Sequence, residues 1–429
     1  MPDIPDFELS RHTLGNGLRV VLHRDDRLPL VTVNLWYHVG SKNERPGRTG
    51  FAHLFEHLLF QGSQHVDTNG HFHLVQQAGG VANGSTWYDR TNYFETLPAH
   101  HLDLGLWLES DRMGYFLQAI DDEKLENQRS VVMNERRERV DNQPYGRAWE
   151  VLHESLYPEG HPYRWPVIGY MDDIAAATLD EVSDFFRRYY TPSNAVLTLA
   201  GDFDEAHALD RVEHWFGELP PGPPVEHPTV EPIVLDGERR TVLEDDVSLG
   251  RLYAGWPAPA YGERDWYTAD LLSVVLAGGK ASLLHEDLVY ERQLASSIGT
   301  HVLPTELPSQ MSIIAAARPG AELAEIEARI DAELVRLGDE LLPDDVVERA
   351  RNRLLTHHFD DLQQLADRAD ALSQHTTFFD APEGVAREIE RYREPTAEDL
   401  RNFVRQHLQP DRRAILHVVP REDRSGGTS

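Results

Sequence analysis

Two histidines and a glutamate stand close together in GFAHLFEHLLF, residues 50–60: His53, Glu56 and His57. At about 100° per residue, a helix puts all three on one face, and Phe51, Leu54, Phe55, Leu58 and Leu59 fall on the opposite side. Imidazoles at i and i+4 are spaced to hold one metal ion, with zinc–nitrogen bonds of about 2.0 to 2.1 Å. A carboxylate on the same face is placed to take a proton from a water whose pKa the metal lowers. Such a helix buries an apolar back and presents a chemical front.

A catalytic zinc needs a third protein ligand and an open position. The segment DEKLENQRSVVMNERRERVDNQPYG predicts a helix over 122–140 that offers Glu123, Glu126, Glu135 and Glu138. Glu135 follows the apolar VVM and is best placed to point inward, whereas Glu126 and Glu138 sit among charges.

The elements around these residues alternate strand and helix patterns. Two β-rich runs cover GNGLRVVLHRDDRLPLVTVNLWYHVGS, GSTWYDRTNYFETLP alternates as a half-buried strand does, DEVSDFFRRYY has helical spacing, and NAVLTLAGDF reads as a strand. Mixed runs of this kind predict an α+β fold. After LPPGPPVEHPTVEPIVL, which is too proline-rich for helix or central strand, the segment 239–279 retraces the opening: strand, acidic turn, strand, loop, apolar helix. The helix of this second copy, DWYTADLLSVVLAGG, has no His-Glu-His cluster. The expected organisation is an N-terminal metal-binding domain over 1–220, a linker over 221–235, a C-terminal domain of the same fold over 236–421, and a flexible tail over 422–429.

Composition sets limits on function. The chain has 429 residues, 41 basic and 72 acidic, for a net charge of −31. That field repels nucleic-acid phosphates and anionic membrane surfaces, so no nucleic-acid partner is expected. With no cysteine there are no disulfides, thiolate ligands or cysteine nucleophile. No apolar run reaches the roughly 18 residues of a membrane span, and the acidic N-terminus lacks a signal pattern, so a cytoplasmic location is expected.

Four segments together, GRTGFAHLFEHLLFQGS, RSVVMNERRERVDNQPYG, HPYRWPVIGYMDDI and YYTPSNAVLTLAGDFD, resemble the inverzincins, the zinc metallopeptidases typified by pitrilysin, insulysin and the mitochondrial processing peptidase. The resemblance runs through essentially the whole chain, densely in the first half. It implies His53, His57 and Glu135 as ligands of one Zn2+ per chain and Glu56 as general base. It also implies two similar α+β domains, each a mixed, mostly antiparallel sheet with helices on one face, forming half of a clamshell chamber for peptides. VANGSTWYDRTNYFETLP resembles the family's substrate-binding edge strand, which implies that Asn83, Gly84 and Ser85 lie nearest the scissile bond.

The pattern breaks in the second half. Complete members of the family carry an Arg and a Tyr seven residues apart that bind the substrate carbonyl. Aligning LLHEDLVYERQLASSIG puts Val289 and Ser296 there, with Tyr290 and Arg292 out of register. The expectation is therefore the metal-bearing subunit of a heterodimer, with a homologous partner that lacks the zinc motif. A non-catalytic structural or recognition subunit and a self-sufficient homodimeric peptidase are the alternatives. Gln128 stands where some relatives have another acidic residue, with Glu126 nearby. His71, His73, His100, His101, His357 and His358 lack ligand spacing, and His161 reads as structural.

Overall fold

The computed structural model describes residues 7–421. The expected tail over 422–429 lies outside them. Packing divides the chain into two compact units, neither of which is continuous in sequence.

The first unit is built on a six-stranded sheet in the order β1-β2-β6-β3-β5-β4. Its strands are β1 Leu9–Thr13, β2 Arg19–Arg24, β3 Leu30–Tyr37, β4 Val81–Thr86, β5 Thr91–Pro98 and β6 Ala195–Gly201. Only β2 and β6 run parallel; the other neighbours are antiparallel. The second unit repeats the arrangement in a five-stranded sheet, β7-β11-β8-β10-β9. These strands are β7 Arg239–Asp245, β8 Arg251–Ala258, β9 Ala295–Val302, β10 Ser309–Ala317 and β11 Ala414–Pro420. Again a single parallel pair, β7 with β11, sits in an otherwise antiparallel sheet. Strand for strand, β7-β11-β8-β10-β9 matches β2-β6-β3-β5-β4. The duplication expected from the faint sequence repeat is thus present in the topology.

The stretch around residues 84–98 forms a hairpin and not one strand. Trp87 donates its main-chain N–H to the Arg90 carbonyl at 2.9 Å, and the chain reverses there into β5. Alternating bulk is common to one long strand and to two short ones, so the pattern alone does not reveal the turn.

The packing also departs from the contiguous boundaries 1–220 and 236–421. Residues 137–164 pack with the second unit, and residues 358–388 with the first. On one face of the first sheet lie the helices α1 Phe51–Leu58, α2 Gly70–Gln77 and α3 Leu102–Tyr115. The face is apolar because β3 sends Val31, Val33, Leu35 and Tyr37 to that side. Trp36, one residue out of phase, points to the other side, which is covered by the helix Leu365–Phe379 from the C-terminal half. The second sheet is covered reciprocally by α5 Ala148–Leu156, counting α4 as Asp122–Arg136, and Leu152 of α5 stands over Gly255 of β8. The 221–235 segment has neither helix nor strand.

Asp370 holds the borrowed helix to the first sheet. Its Oδ1 accepts hydrogen bonds from Trp36 Nε1 at 2.7 Å, Asn92 Nδ2 at 3.1 Å and Asn34 Nδ2 at 3.3 Å. Ser373 Oγ and Thr198 Oγ1 are 2.8 Å apart on the same contact surface. Leaving buried donors without an acceptor costs about 1 to 3 kcal/mol. Asp370→Ala is therefore expected to lower the unfolding free energy by about 2 to 3 kcal/mol, read as a lower urea midpoint with unchanged slope. A midpoint within error of the parent would remove this anchor.

Candidate metal centre

The helix α1 starts where Gly50 adopts φ 84, the left-handed region that favours glycine. Helices leave their first N–H groups without partners, and here a side chain from outside the helix takes them up. Glu44 Oε2 accepts from Gly50 N and Oε1 from Ala52 N, both at 2.8 Å. Burial pushes the Glu44 carboxyl up, while these N–H donors act in the opposite direction. Phe51, Ala52, Leu54, Phe55 and Leu58 are buried. Phe55 packs on an aromatic cluster, its ring centroid 5.2 Å from Phe185 and 5.0 Å from Tyr190. The opposite face carries His53, Glu56 and His57, each half-buried.

Glu135 reaches this face from the last turn of α4. Its Oε2 lies 3.2 Å from His57 Nε2 and 3.8 Å from His53 Nε2. One ligand atom from each of the three residues lies within 4.8 Å of the others, and this is the only such metal-capable group among the described residues. Two nitrogens and an oxygen bonded tetrahedrally at about 2.1 Å would sit about 3.4 Å apart. The measured separations bracket that value, so the donor set fits one zinc ion. Glu123, Glu126 and Glu138 are exposed, and Glu126 pairs with Arg129. Of the four helix glutamates, only Glu135 faces the histidines. Gln128 is buried in α4.

Helix α4 ends at Arg136 and passes into a π-helical turn, Arg137–Asp141, so the predicted helix over 122–140 is α-helical only to residue 136. The change falls one residue after Glu135.

Glu56 sits against the edge strand. Thr86 Oγ1 donates to Glu56 Oε2 at 2.7 Å. Burial raises the Glu56 carboxyl above its ordinary range, and the Thr86 hydrogen bond partly opposes this. Thr86 was not singled out from sequence. Its signal was alternation along β4, legible only once the hairpin turn is known.

β4 is the outermost strand of its sheet. Because Trp87 and Arg90 form a hydrogen-bonded pair, the alternation of an antiparallel ladder turns the main-chain groups of Ala82, Gly84 and Thr86 to the free side. Gly84 N–H is covered by Asn83 Oδ1 at 2.9 Å. Ser85 faces inward: its Oγ donates to Asn92 Oδ1 at 2.7 Å, and its carbonyl accepts from Arg90 Nη1 at 2.8 Å.

A loop after Trp165 ties α1 and α4 together. Arg136, next to Glu135, donates from Nη1 to the Gly169 carbonyl at 2.6 Å. Gly169 has φ +78 and lies against Gly50, such that a Cβ on Gly169 would stand 2.4 Å from Gly50 Cα. Thr49 donates its N–H and hydroxyl to Asp173 Oδ2 at 3.1 and 2.7 Å. The start of α1 and the end of α4 are thus fixed to one short segment.

Residues 19–164 match the family described as Insulinase (Peptidase family M16), and residues 176–354 match its Peptidase M16 inactive domain. The chain belongs to the insulinase (M16) peptidase family. It is 34% identical over 334 residues to the zinc protease PqqE of Helicobacter pylori, covering 76% of this chain and 73% of that protein. It is 30% identical over 315 residues to the uncharacterized zinc protease ML0855 of Mycobacterium leprae, covering 73% and 70%. Among solved structures, a protease from Helicobacter pylori superposes with a TM-score of 0.90 at 28% identity, covering 96% of this chain and all (100%) of that one. The periplasmic protease PqqL from Escherichia coli shares the fold, with a TM-score of 0.78 at 20% identity. This chain aligns over 98% of its length with 48% of PqqL. The residues matched to the inactive domain do not include His53, His57 or Glu135.

The Gly50–Gly169 contact gives a test. Gly169→Ala is expected to lower zinc content per chain by more than half and to depress the melting temperature. Gly160, also at positive φ but with nothing within 4 Å of a Cβ, serves as the control. Gly160→Ala is expected to cost about 1 kcal/mol of backbone strain and to leave zinc unchanged. Equal zinc content in both variants, measured by elemental analysis, would refute the brace.

Proposed function

We propose that this chain is the metal-bearing subunit of a zinc-dependent endopeptidase that hydrolyses peptides or small unfolded segments held in a chamber. The observation that carries the reading is the convergence of His53, His57 and Glu135 beside Glu56, whose carboxylate is hydrogen-bonded to the free edge strand. The family and the names of the relatives support the same reading.

His53, His57 and Glu135 would hold the ion. When bound, zinc supplies Lewis acidity, which brings the pKa of water toward neutrality and polarises a carbonyl. The edge of β4 accepts an extended peptide as an added strand, and main-chain hydrogen bonds at Ala82, Gly84 and Thr86 fix its register largely independently of side chains. The Asn83 carboxamide must leave Gly84 N–H for that pairing to form. Thr86 holds one oxygen of Glu56, so the other is aimed at the attacking water. Glu56 takes the water's proton and returns it to the departing amine nitrogen. Because Thr86 belongs to β4 and touches Glu56, peptide register and base position are set by one strand.

Among the described residues, the positions where the family resemblance calls for an Arg and a Tyr hold Val289 and Ser296. Val289 is buried and has no donor, Ser296 Oγ donates to the Ala316 carbonyl at 3.2 Å, and Arg292 is ion-paired with Asp287 at 2.8 Å. Loss of an oxyanion donor lowers turnover by roughly 10²- to 10³-fold. A homologous partner subunit carrying both residues is the arrangement this favours.

Glu56→Gln is expected to retain zinc and lose at least 10³-fold in peptide cleavage, whereas Glu135→Gln is expected to lose the zinc itself. Cleavage by the zinc-loaded Glu56→Gln chain at the parental rate would rule out Glu56 as base. Adding a homologous subunit that has the Arg and Tyr should raise the rate by about 10²-fold or more. A chain equally fast alone would instead be a self-sufficient homodimeric peptidase.

A further inference from the structure

The chain has 41 basic residues against 72 acidic ones, and many arginines sit on a carboxylate, as Arg413 does with Glu238, Asp331 and Glu327. A cleft of about 280 Å³ in the second unit is an exception. Lys280, Arg349 and Arg353 line it, and among the described residues none of the three forms an ion pair with a carboxylate. Lys280 is one of only three lysines in the sequence. In a protein of net charge −31, three cations left together without acidic partners create a local positive field.

The main chain at the mouth of the cleft adds donors. It follows the helix Arg264–Ala277 and turns through Gly278, Gly279, Lys280 and Ala281. Two carbonyls of this turn are engaged: Gly279 O accepts from Ser282 N at 3.0 Å and from Ser282 Oγ at 2.5 Å, and Ala281 O accepts from Arg349 Nη2 at 3.5 Å. The N–H groups of Gly279, Lys280 and Ala281 have no acceptor within the protein among the described residues. Successive N–H groups in a turn form an anion-binding concavity. Gly279 has φ +154, and a Cβ there would stand 3.2 Å from Arg353 Nη1, so the guanidinium lies directly over the glycine. Any side chain at position 279 would fill the space where donors and cations meet.

The other wall is aliphatic, made by Val274, Val275, Val346 and Ala350. A bare inorganic anion has no use for such a wall. An anion joined to an aliphatic group would place its oxygens on the turn and cations and its carbon chain on the valines. We propose that this cleft is a binding site for a carboxylate that carries an aliphatic side chain, the chemistry of the C-terminal residue of a peptide. Only the identity of the natural ligand rests on the peptidase reading, since binding itself requires no turnover.

The test uses the full-length zinc-loaded chain and three probes in isothermal titration: N-acetyl-leucine, its primary amide, and inorganic phosphate. N-acetyl-leucine is expected to bind at least 10-fold more tightly than the amide or phosphate. Lys280→Ala, Arg349→Ala and Arg353→Ala combined are expected to weaken it at least 10-fold. Gly279→Val should do the same without removing a charge, and Arg292→Ala, a cation outside the cleft, should change nothing. Equal binding of acid and amide, tighter binding of phosphate, or unchanged binding in both cleft variants would each overturn the site. A chain that binds N-acetyl-leucine as described but cleaves no peptide even when mixed with a homologous subunit that has the Arg and Tyr would refute the peptidase reading alone.

Discussion

The structure depends on holding a carboxylate oxygen from one helix within about 4 Å of imidazole nitrogens from another, with no chain segment shared between them. Two helix ends must be positioned to a fraction of an ångström. The first unit meets this at the least compliant points of each helix. Glu44 and Gly50 fix the start of α1, Arg136 fixes the end of α4, and both are joined to the loop at Gly169. The hydrogen bonds to main-chain atoms are short and directional and the glycine–glycine contact is close, so little slack remains for His53, His57 and Glu135. Behind them the aromatic cluster around Phe55 resists rotation of α1, because turning the helix would expose its apolar back.

The edge strand brings a second requirement. A free strand edge is a hazard unless its groups are occupied or protected. Here Asn83 covers the Gly84 N–H with its own side chain, and Arg90 and Asn92 hold Ser85 inward. Asn92 also donates to Asp370 on the helix Leu365–Phe379, so the sheet that presents the edge is stiffened by a helix from the other half of the sequence. The reciprocal loan of α5 to the second sheet has the same logic. Each sheet has two apolar faces, and the helix that covers the second face comes from the other copy.

Much of the candidate metal centre was legible in the sequence, because a helix converts spacing directly into direction. His53, Glu56 and His57 share a face by periodicity alone, and the apolar residues between them define the buried side. Glu135 was legible only as one of four glutamates until the family resemblance singled it out. The hairpin turn at Trp87–Arg90 was not legible, since alternation does not distinguish one strand from two. Thr86, which touches Glu56, was hidden for the same reason. Glu44 was hidden because a cap that approaches from outside the helix leaves no pattern within it.

By itself, then, the sequence determined what is local: the amphipathic faces, the proline-rich interruption at 219–235, the repeat of strand and helix order, and the absence of a second His-Glu-His cluster. Only tertiary structure decided what depends on contacts between distant segments. It selected Glu135 by bringing α4 against α1, placed β4 at the edge of its sheet, and exchanged 137–164 and 358–388 between the units. The division follows from physics. Side-chain direction along a helix or strand is set by a few neighbouring residues. Which element lies beside which is set by burial of whole faces, and that is a property of the folded chain.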